Sequence, residues 1–202
     1  MLRERIPGLA SLKIIDLGGS RHFWQESGLG VPASNITIYN LDGAGDAHAV
    51  GADDYASIPV HTYDGSRLPE SNQAFDLAMC NSVIEHVTPE HRRQLVDELR
   101  RVARRVCIQT PAKSFPLEPH FLVPFIQWLP RRVGYAVAKI SPWRLLSRPS
   151  AATIESYFWN TNLLTRAELE ELLPDGTIFR ERLLGLTKSY TVITAQRPGL
   201  GR

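Results

Sequence analysis

Short apolar runs separated by polar and amphipathic segments fill the first half of the chain. Their length and the turn residues that follow them predict buried strands. The predicted strands are Leu12–Leu17, Ile36–Leu41, Val60–Tyr63, Phe75–Cys80 and Val106–Thr110. A helix is predicted between the first two strands, over Arg21–Leu29. Because strands and helices alternate, we expect parallel strands joined by crossover connections.

A second helix is predicted from Thr88 to about Arg104. The tripeptide Thr88-Pro89-Glu90 is typical of a helix start, because it places proline at the first helical position and an acid in the first turn. The apolar stripe of this helix consists of Leu95, Val96, Leu99 and Val102. Charged residues occupy its other faces, and we interpret them as a solvated surface.

The pattern changes after the fifth predicted strand. From Pro111 to about Asn160, prolines, aromatic residues and arginines follow without clear strand or helix periodicity, so we interpret residues 111–160 as an insertion. Regular elements return with a capping box at Thr165 and a helix over Arg166–Leu173. Two more strands are predicted, at Thr177–Leu184 and Ser189–Ala195. The prediction is an α/β fold whose mostly parallel sheet has an antiparallel edge strand.

Length and composition favour one compact domain over residues 1–202. The chain is 43% hydrophobic and 22% charged, and its net charge of +2 does not require a nucleic-acid partner. Cys80 and Cys107 lie in apolar runs, where a reduced thiol packs as a small apolar side chain. No early apolar segment follows Met1, and no apolar run reaches the roughly 20 residues that a membrane span needs. We therefore expect a cytoplasmic protein that does not bind nucleic acid.

Polar residues lie at the ends of four predicted strands, namely Asp16, Asp42, Asp64 and Asn81. The carboxyl ends of parallel strands meet at one edge of a sheet, so we expect these residues to line one crevice. Asp42 follows Gly18 by 24 positions (42 minus 18), a separation at which an acid ending the second strand can accept hydrogen bonds from both hydroxyls of a ribose. This spacing favours a cofactor that contains a nucleoside.

The turn Gly18-Gly19-Ser20 lets the backbone pass close to a ligand. It lacks the full G-x-G-x-x-G pattern that places a pyrophosphate on a helix N-terminus, because His22 and Phe23 stand where small residues are needed. A dinucleotide cofactor is therefore disfavoured.

These motifs resemble those of the class I, seven-stranded S-adenosylmethionine-dependent methyltransferases, and the resemblance covers nearly the whole chain. The family's first motif, an acid followed by spaced glycines, is matched at Asp16 and Gly18. The acid that closes the family's second strand corresponds to Asp42, and the acid that addresses the adenine amino group corresponds to Asp64. The fourth motif, the most specific match, corresponds to Phe75–Val87.

The resemblance implies a fold, a reaction and a set of binding residues. The fold is a Rossmann-like three-layer sandwich with a seven-stranded sheet. The reaction is methyl transfer from S-adenosylmethionine, with S-adenosylhomocysteine as product. The implied cofactor-binding residues are Asp16, Gly18, Gly19, Ser20, Asp42, Asp64, Gly65, Ser66, Asn81 and Ser82.

Two histidines are the candidate catalytic residues. Methyl transfer to an oxygen requires alignment of the reactants and removal of a proton, and an imidazole suits this task at neutral pH. His86 follows a strand end that faces the crevice. His120 lies in the segment after the fifth strand, where the family commonly builds its substrate lid. The alternative for each histidine is a packing or capping role.

A bound metal is not predicted. Some members of the family hold a divalent ion with a glutamate, a Glu-His pair and a distant histidine, an arrangement that resembles Glu85, His86 and His120. Ser82 stands in the place of the first glutamate, which removes one hard ligand. We therefore expect S-adenosylmethionine as cofactor and no metal.

Residues 120–148 combine aromatic, aliphatic and basic side chains with no acid. This composition suits an interfacial helix or a pocket for an amphipathic anionic substrate. It equally suits a lid that packs on the sheet and leaves its arginines in water. The first two interpretations predict a peripheral membrane contact and a lipid-linked acceptor.

The expected acceptor is a small molecule, a glycan or a lipid-linked compound, methylated on a hydroxyl group. Two other classes stay open: a non-catalytic module that binds S-adenosylmethionine or another nucleoside, and a nicotinamide-dependent oxidoreductase. Asp64-Gly65 and the missing third glycine oppose the oxidoreductase. The sequence leaves the acceptor, the methylated atom and the oligomeric state open.

Overall fold

The computed structural model describes residues 2–41 and 54–197. Within these ranges, seven strands form one sheet and two short strands pair separately. The sheet strands are β1 (Ile14–Leu17), β2 (Ile36–Leu41), β3 (Val60–Tyr63), β4 (Phe75–Asn81), β5 (Ala103–Pro111), β8 (Gly176–Leu183) and β9 (Leu186–Thr194). The separate pair is β6 (Leu117–Glu118) and β7 (Val123–Pro124).

The strand order across the sheet is β3-β2-β1-β4-β5-β9-β8. The first five strands are parallel, with Ile14 of β1 opposite both Ile36 of β2 and Leu77 of β4. Strand β9 is antiparallel to its neighbours β5 and β8. The predicted α/β fold is confirmed, and its antiparallel strand lies one position in from the edge that β8 forms. Because the strand order reverses around β1, the carboxyl ends of β1 and β4 border the crevice where such sheets bind ligands.

Helices cover the sheet between the strands. The α-helices in the described ranges are α1 (Leu2–Arg5), α2 (Arg21–Glu26), α3 (Pro89–Val102), α4 (Arg131–Ala138), α5 (Pro142–Ser147), α6 (Ala151–Asn160) and α7 (Arg166–Leu172). In this part of the chain, no helix is long and apolar enough to cross a membrane.

Apolar side chains alternate between the two faces of the sheet, as the pleat requires. On β1, Ile15 packs in a core that includes Leu99 of α3, whereas Ile14 packs with Ile6 and Trp24 on the opposite face. All five side chains are almost completely buried. Two packed faces give the three-layer architecture that the resemblance implied.

The segment from 111 to 160 is more regular than its sequence pattern predicts. It contains helices α4, α5 and α6 and the β6–β7 pair. Its own small core consists of Phe121, Ile126, Ala138 and Ile154. The helices have six to ten residues, and prolines precede or begin two of them, so no window is long enough to show a helical period. The interpretation of this segment as an insertion in a single domain stays a prediction.

Several predicted boundaries shift by a few residues. Strand β1 begins at Ile14 rather than Leu12, because residues 9–11 form a 3-10 turn. Helix α3 ends at Val102, since Ala103 already pairs in β5. The last two strands are joined at Leu184 and Gly185, which both have positive φ, and β9 therefore begins before the predicted Ser189.

Core packing on α3 predicts a large effect of a single truncation. Leu99 is fully buried, so Leu99→Ala is expected to lower the free energy of unfolding by about 2 to 5 kcal/mol. Leu145→Ala is the matched control: the side chain is 73% exposed, and the expected change is within about 0.5 kcal/mol. Urea denaturation of both variants checks this, and equal effects would contradict the described core.

Candidate functional site

The turn after β1 has no room for side chains. At Gly18, φ is +75°, and an added Cβ would lie 2.3 Å from Cγ2 of Val83. At Gly19, an added Cβ would lie 1.9 Å from Oδ2 of Asp16. The amide of Gly18 donates to the carbonyl of Tyr39 on β2 at 2.8 Å, and Ser20 caps α2 by accepting from the Phe23 amide at 3.1 Å. The turn is therefore fixed by the strands on both sides of β1.

Asp16 is a fully buried carboxyl group beneath this turn. Its Oδ2 accepts a hydrogen bond from Nε1 of Trp24 at 2.8 Å, while Oδ1 has no hydrogen-bond partner among the residues that the structure describes. Burial raises the pKa of Asp16 to about 7, and the bond from Trp24 only partly opposes the rise. A buried carboxyl with one unused acceptor is suited to a hydrogen-bond donor from a ligand.

Asp64, Gly65 and Ser66 form a tight turn after β3. The exposed Oδ1 of Asp64 accepts from the amide of Ser66 at 2.9 Å and from its hydroxyl at 2.6 Å. These bonds, the side-chain bond first, lower the pKa of Asp64, which favours its ionised form. Gly65 has φ of +86° and approaches Leu41 at the end of β2. Asp42, which follows Leu41 in the sequence, lies outside the described ranges.

Asn81 and Ser82 follow at the end of β4. Asn81 is half-buried and pairs with Gln109 of β5. Ser82 has φ of 54°, and its hydroxyl donates to Oε1 of Gln109 at 3.0 Å. This bend directs the chain toward Val83, the residue that packs against Gly18. The ends of β1 and β4 are thus in contact, and the convergence of all four polar strand ends on one crevice stays a prediction.

A cluster of two acids and two histidines lies beyond the end of β4. The histidine cluster consists of Glu85, His86, Glu118 and His120. Glu85 is fully buried, and its Oε2 accepts from the Thr110 hydroxyl at 2.9 Å. Its Oε1 has no partner in the described part of the chain, and burial raises the pKa of Glu85.

Glu118 and His120 form a tight pair within this cluster. Nδ1 of His120 lies 2.6 Å from Oε1 of Glu118, and Oε2 of Glu118 accepts from the Phe121 amide at 2.8 Å. Burial disfavours protonation of His120, but the hydrogen bond and negative charge of Glu118 outweigh it and raise the pKa of His120. Since a carboxylate only accepts hydrogen bonds, Nε2 of His120 is left to receive a proton.

His86 has the opposite electrostatic character. Its ring centroid is 5.0 Å from that of His120, and Tyr157 of α6 packs against both rings. Burial, followed by the neighbouring His120, lowers the pKa of His86 to about 4. His86 is therefore neutral near pH 7, whereas His120 has the higher proton affinity.

The cluster also has the spacing of a metal site. Glu85, His86 and His120 each offer one potential ligand atom, and these three atoms lie within 4.8 Å of one another. Nδ1 of His120 is already bonded to Glu118, which orients this ring without an ion. The expectation that no metal binds stays a prediction.

A cavity of about 240 Å³ adjoins the cluster. Glu118 and Thr161 lie in its wall, and the Thr161 hydroxyl is 3.4 Å from Nδ1 of His86. Its apolar lining comes from Phe121, Ile126, Leu129, Phe158 and Leu163. Charged and polar side chains, among them Arg92, Arg131 and Glu168, line the rest of the cavity. A cavity that mixes apolar and polar lining next to a proton acceptor suits an acceptor substrate.

Sequence reasoning placed most of these residues but missed one. Asp16 and Gly18 lie at the end of β1 beside Val83, the residue that follows Asn81 and Ser82, and His86 and His120 meet in the histidine cluster. Glu118 was not predicted. Its only sequence signal is that it stands two positions before His120 in a stretch bounded by prolines.

Comparison with known proteins agrees with this geometry. Residues 27–106, about two fifths of the chain, match the sequence model of a family described as methyltransferase domain. The matched range includes Asp64 and Asn81–Val87 and excludes the glycine turn and His120. No curated protein matches the chain at the sequence level.

Solved structures share the fold at low sequence identity. A S-adenosylmethionine-dependent methyltransferase from Mesorhizobium loti is 14% identical with a TM-score of 0.57, covering 95% of this chain and 94% of its own. One from Aquifex aeolicus is 14% identical with a TM-score of 0.54, covering 95% and 85%. The magnesium protoporphyrin IX methyltransferase of Synechocystis PCC 6803, solved with S-adenosylhomocysteine, is 14% identical with a TM-score of 0.53, covering 98% and 79%.

The family match over residues 27–106 and the fold shared with solved methyltransferases agree with the resemblance that the sequence motifs indicate. The seven-stranded fold that the resemblance implies is confirmed. The comparisons name no acceptor for this chain.

The raised pKa of Asp16 predicts that Asp16→Asn changes stability in a pH-dependent way. The folded pKa of about 7 exceeds the ordinary value of 3.8, so the wild type loses stability as pH rises from 3.8 to about 7, where the loss levels off, and the amide does not. Between pH 5 and pH 8, the difference in unfolding free energy should shift by about 2 kcal/mol in favour of the variant.

Urea denaturation at both pH values measures this shift. Asp97→Asn, a change at a carboxyl that is 61% exposed, is the control and should stay within about 0.5 kcal/mol of the wild type. A difference for Asp16→Asn that does not change with pH would show that the buried carboxyl keeps its ordinary pKa.

Proposed function

We propose that the chain transfers a methyl group from S-adenosylmethionine to a hydroxyl group of its acceptor, with His120 as general base. The observation that carries this proposal is the 2.6 Å pair of the partly buried His120 and the buried Glu118, beside His86 and next to a cavity of mixed apolar and polar lining. A histidine whose other nitrogen is held by a carboxylate is a proven arrangement for removing a proton from a hydroxyl.

The β1 and β4 ends fit the cofactor. The turn at Gly18 and Gly19 carries no side chains and lies beside Oδ1 of Asp16, which has no partner among the described residues and suits a charged or hydrogen-bonding amino group. We assign Asp42 to the ribose hydroxyls and Asp64 to the adenine. The other proposed contacts are Ser20, Gly65, Ser66, Asn81 and Ser82. When bound, the cofactor supplies a methyl group on positively charged sulfur and leaves as S-adenosylhomocysteine.

The histidine cluster performs the proton transfer. The acceptor hydroxyl loses its proton to Nε2 of His120 as the oxygen attacks, and Glu118 stabilises the imidazolium that forms. His86, neutral near pH 7 because its pKa is about 4, can donate or accept one hydrogen bond to orient the hydroxyl without competing for the proton. Tyr157 covers both rings and limits access of water.

The acceptor class follows from the cavity beside the cluster. Its volume of about 240 Å³ and its lining, which combines apolar side chains such as Phe158 with charged ones such as Arg131 and Glu168, suit an amphipathic hydroxyl compound, either a small molecule or part of a glycan or lipid-linked molecule. A module that only binds the cofactor would need no buried acid–histidine pair at this position. The Glu118–His120 pair therefore favours the enzyme over the non-catalytic alternative.

Cofactor binding is tested by calorimetric titration of S-adenosylmethionine and S-adenosylhomocysteine. We expect micromolar binding by the wild type and a loss of tenfold or more, about 1.4 kcal/mol, for Asp64→Ala and for Asp42→Ala. Asp97→Ala removes the same charge from the surface of α3 and should leave the dissociation constant unchanged. Absence of binding by the wild type would refute the proposed function.

The role of His120 is tested by following S-adenosylhomocysteine release with a panel of hydroxyl acceptors. His120→Ala should lower kcat by about 10²- to 10⁴-fold at an unchanged Kd for the cofactor. Glu118→Gln removes the charge that raises the pKa of His120, so the acidic limb of the kcat/KM profile should move to lower pH. His91→Ala, an exposed histidine on α3, is the control. Wild-type kcat in His120→Ala would rule out the general base.

A further inference from the structure

We propose that α5 and the residues beside it dock the protein onto membranes that contain anionic phospholipid. The docking surface is defined by three apolar and three basic side chains: Ile140, Leu145, Leu146, Lys139, Arg144 and Arg148. This interaction does not depend on the proposed methyl transfer and can be tested without an acceptor.

The apolar part of the docking surface is highly exposed. Ile140 is 76%, Leu145 73% and Leu146 77% exposed. Burial of aliphatic side chains of this size normally lowers the free energy of the folded protein. On the inner side of α5, the Trp143 ring packs against Phe121 at 5.7 Å between centroids. Helix α5 is thus anchored through its inner face while both leucines project into solvent.

The charged residues along this part of the chain have one sign. Between Glu118 and Glu155, the chain contains five lysines and arginines and no acid. Lys139 and Arg144 line one cleft of about 270 Å³, together with the first turn of α6. In the described part of the chain, neither Arg144 nor Arg148 forms an ion pair with an acid. The cleft therefore offers two cations to a phosphate group.

This combination fits the interface of an anionic bilayer better than other partners. Aliphatic side chains can enter the acyl region while the neighbouring cations meet lipid phosphates. A nucleic acid would use the cations but gain nothing from exposed leucines, because base stacking needs aromatic rings. In a symmetric dimer, the same surface would face itself and bring like charges together.

The docking surface lies close to the proposed acceptor site. Arg131, at the start of α4, borders the 240 Å³ cavity, and Lys139, directly after α4, borders the basic cleft. An eight-residue helix is about 12 Å long. Docking would therefore hold the cavity near the lipid headgroups, where a lipid-linked acceptor would be found.

Co-sedimentation with vesicles tests the proposal. We expect the full chain to bind phosphatidylcholine vesicles that contain phosphatidylglycerol, to bind pure phosphatidylcholine weakly, and to be released by salt. The double variant Leu145→Ser, Leu146→Ser should bind at least tenfold more weakly. The double variant Arg144→Gln, Arg148→Gln should lose about fivefold for each cation removed.

Matched surface variants serve as controls. Leu183→Ser with Leu184→Ser changes an adjacent leucine pair, 49% and 94% exposed, at the β8–β9 turn. Arg93→Gln with Arg166→Gln removes two exposed arginines from α3 and α7. Both controls should bind vesicles like the wild type, and unchanged thermal unfolding of all variants verifies their folding.

Three results would overturn the proposal. The first is no binding that depends on phosphatidylglycerol, and the second is equal loss of binding in the control variants. The third comes from sedimentation velocity: a wild-type dimer that the Leu145→Ser, Leu146→Ser variant converts to monomer would make this surface an interface between two copies. None of these results would affect cofactor binding, so the proposed function is judged separately.

Discussion

Close packing at the carboxyl end of β1 leaves no space for a side chain at Gly18 or Gly19. A methyl group at either position would collide with Val83 or with the carboxyl of Asp16. This constraint joins three strands, because Gly18 also bonds to the backbone of β2 and Val83 continues from β4. The crevice, the start of α2 and the environment of Asp16 all depend on this contact. The reversal of strand order around β1 places the same contact where open α/β sheets bind ligands.

In the histidine cluster, two side chains of the same type, His86 and His120, have different environments. Partial burial and the neighbouring His120 lower the pKa of His86 to about 4, whereas Glu118 raises the pKa of His120. One ring therefore stays neutral while the other can take a proton. Pairs of titratable groups whose pKa values are pushed apart are typical of acid–base sites. The segment from 111 to 160 supplies Glu118, His120 and Tyr157, so the part of the chain with the least regular sequence completes the proposed site.

Short apolar runs followed by turn residues were sufficient for the sheet and for the polar strand ends, and the helical period was sufficient for α3, because these features are local in the sequence. Helices α4 to α6 were not predicted, since each is short and their separation by prolines and turns hides any period. The pairing of Glu118 with His120 depends on burial by α6 and on a bend at Pro119, which a linear pattern does not reveal. The pKa of Asp16 likewise depends on packing against Trp24 and the absence of a second partner among the described residues.

A crystal structure of the complex with S-adenosylhomocysteine tests the central claim most directly, since the claim is that one crevice joins the cofactor site to the histidine cluster. The account predicts adenine beside Asp64, the amino-acid part of the ligand at the Gly18–Gly19 turn, and the sulfur facing His120. A ligand bound away from the β1 and β4 ends, or one whose sulfur is separated from His120 by the loop after β4, would contradict the account.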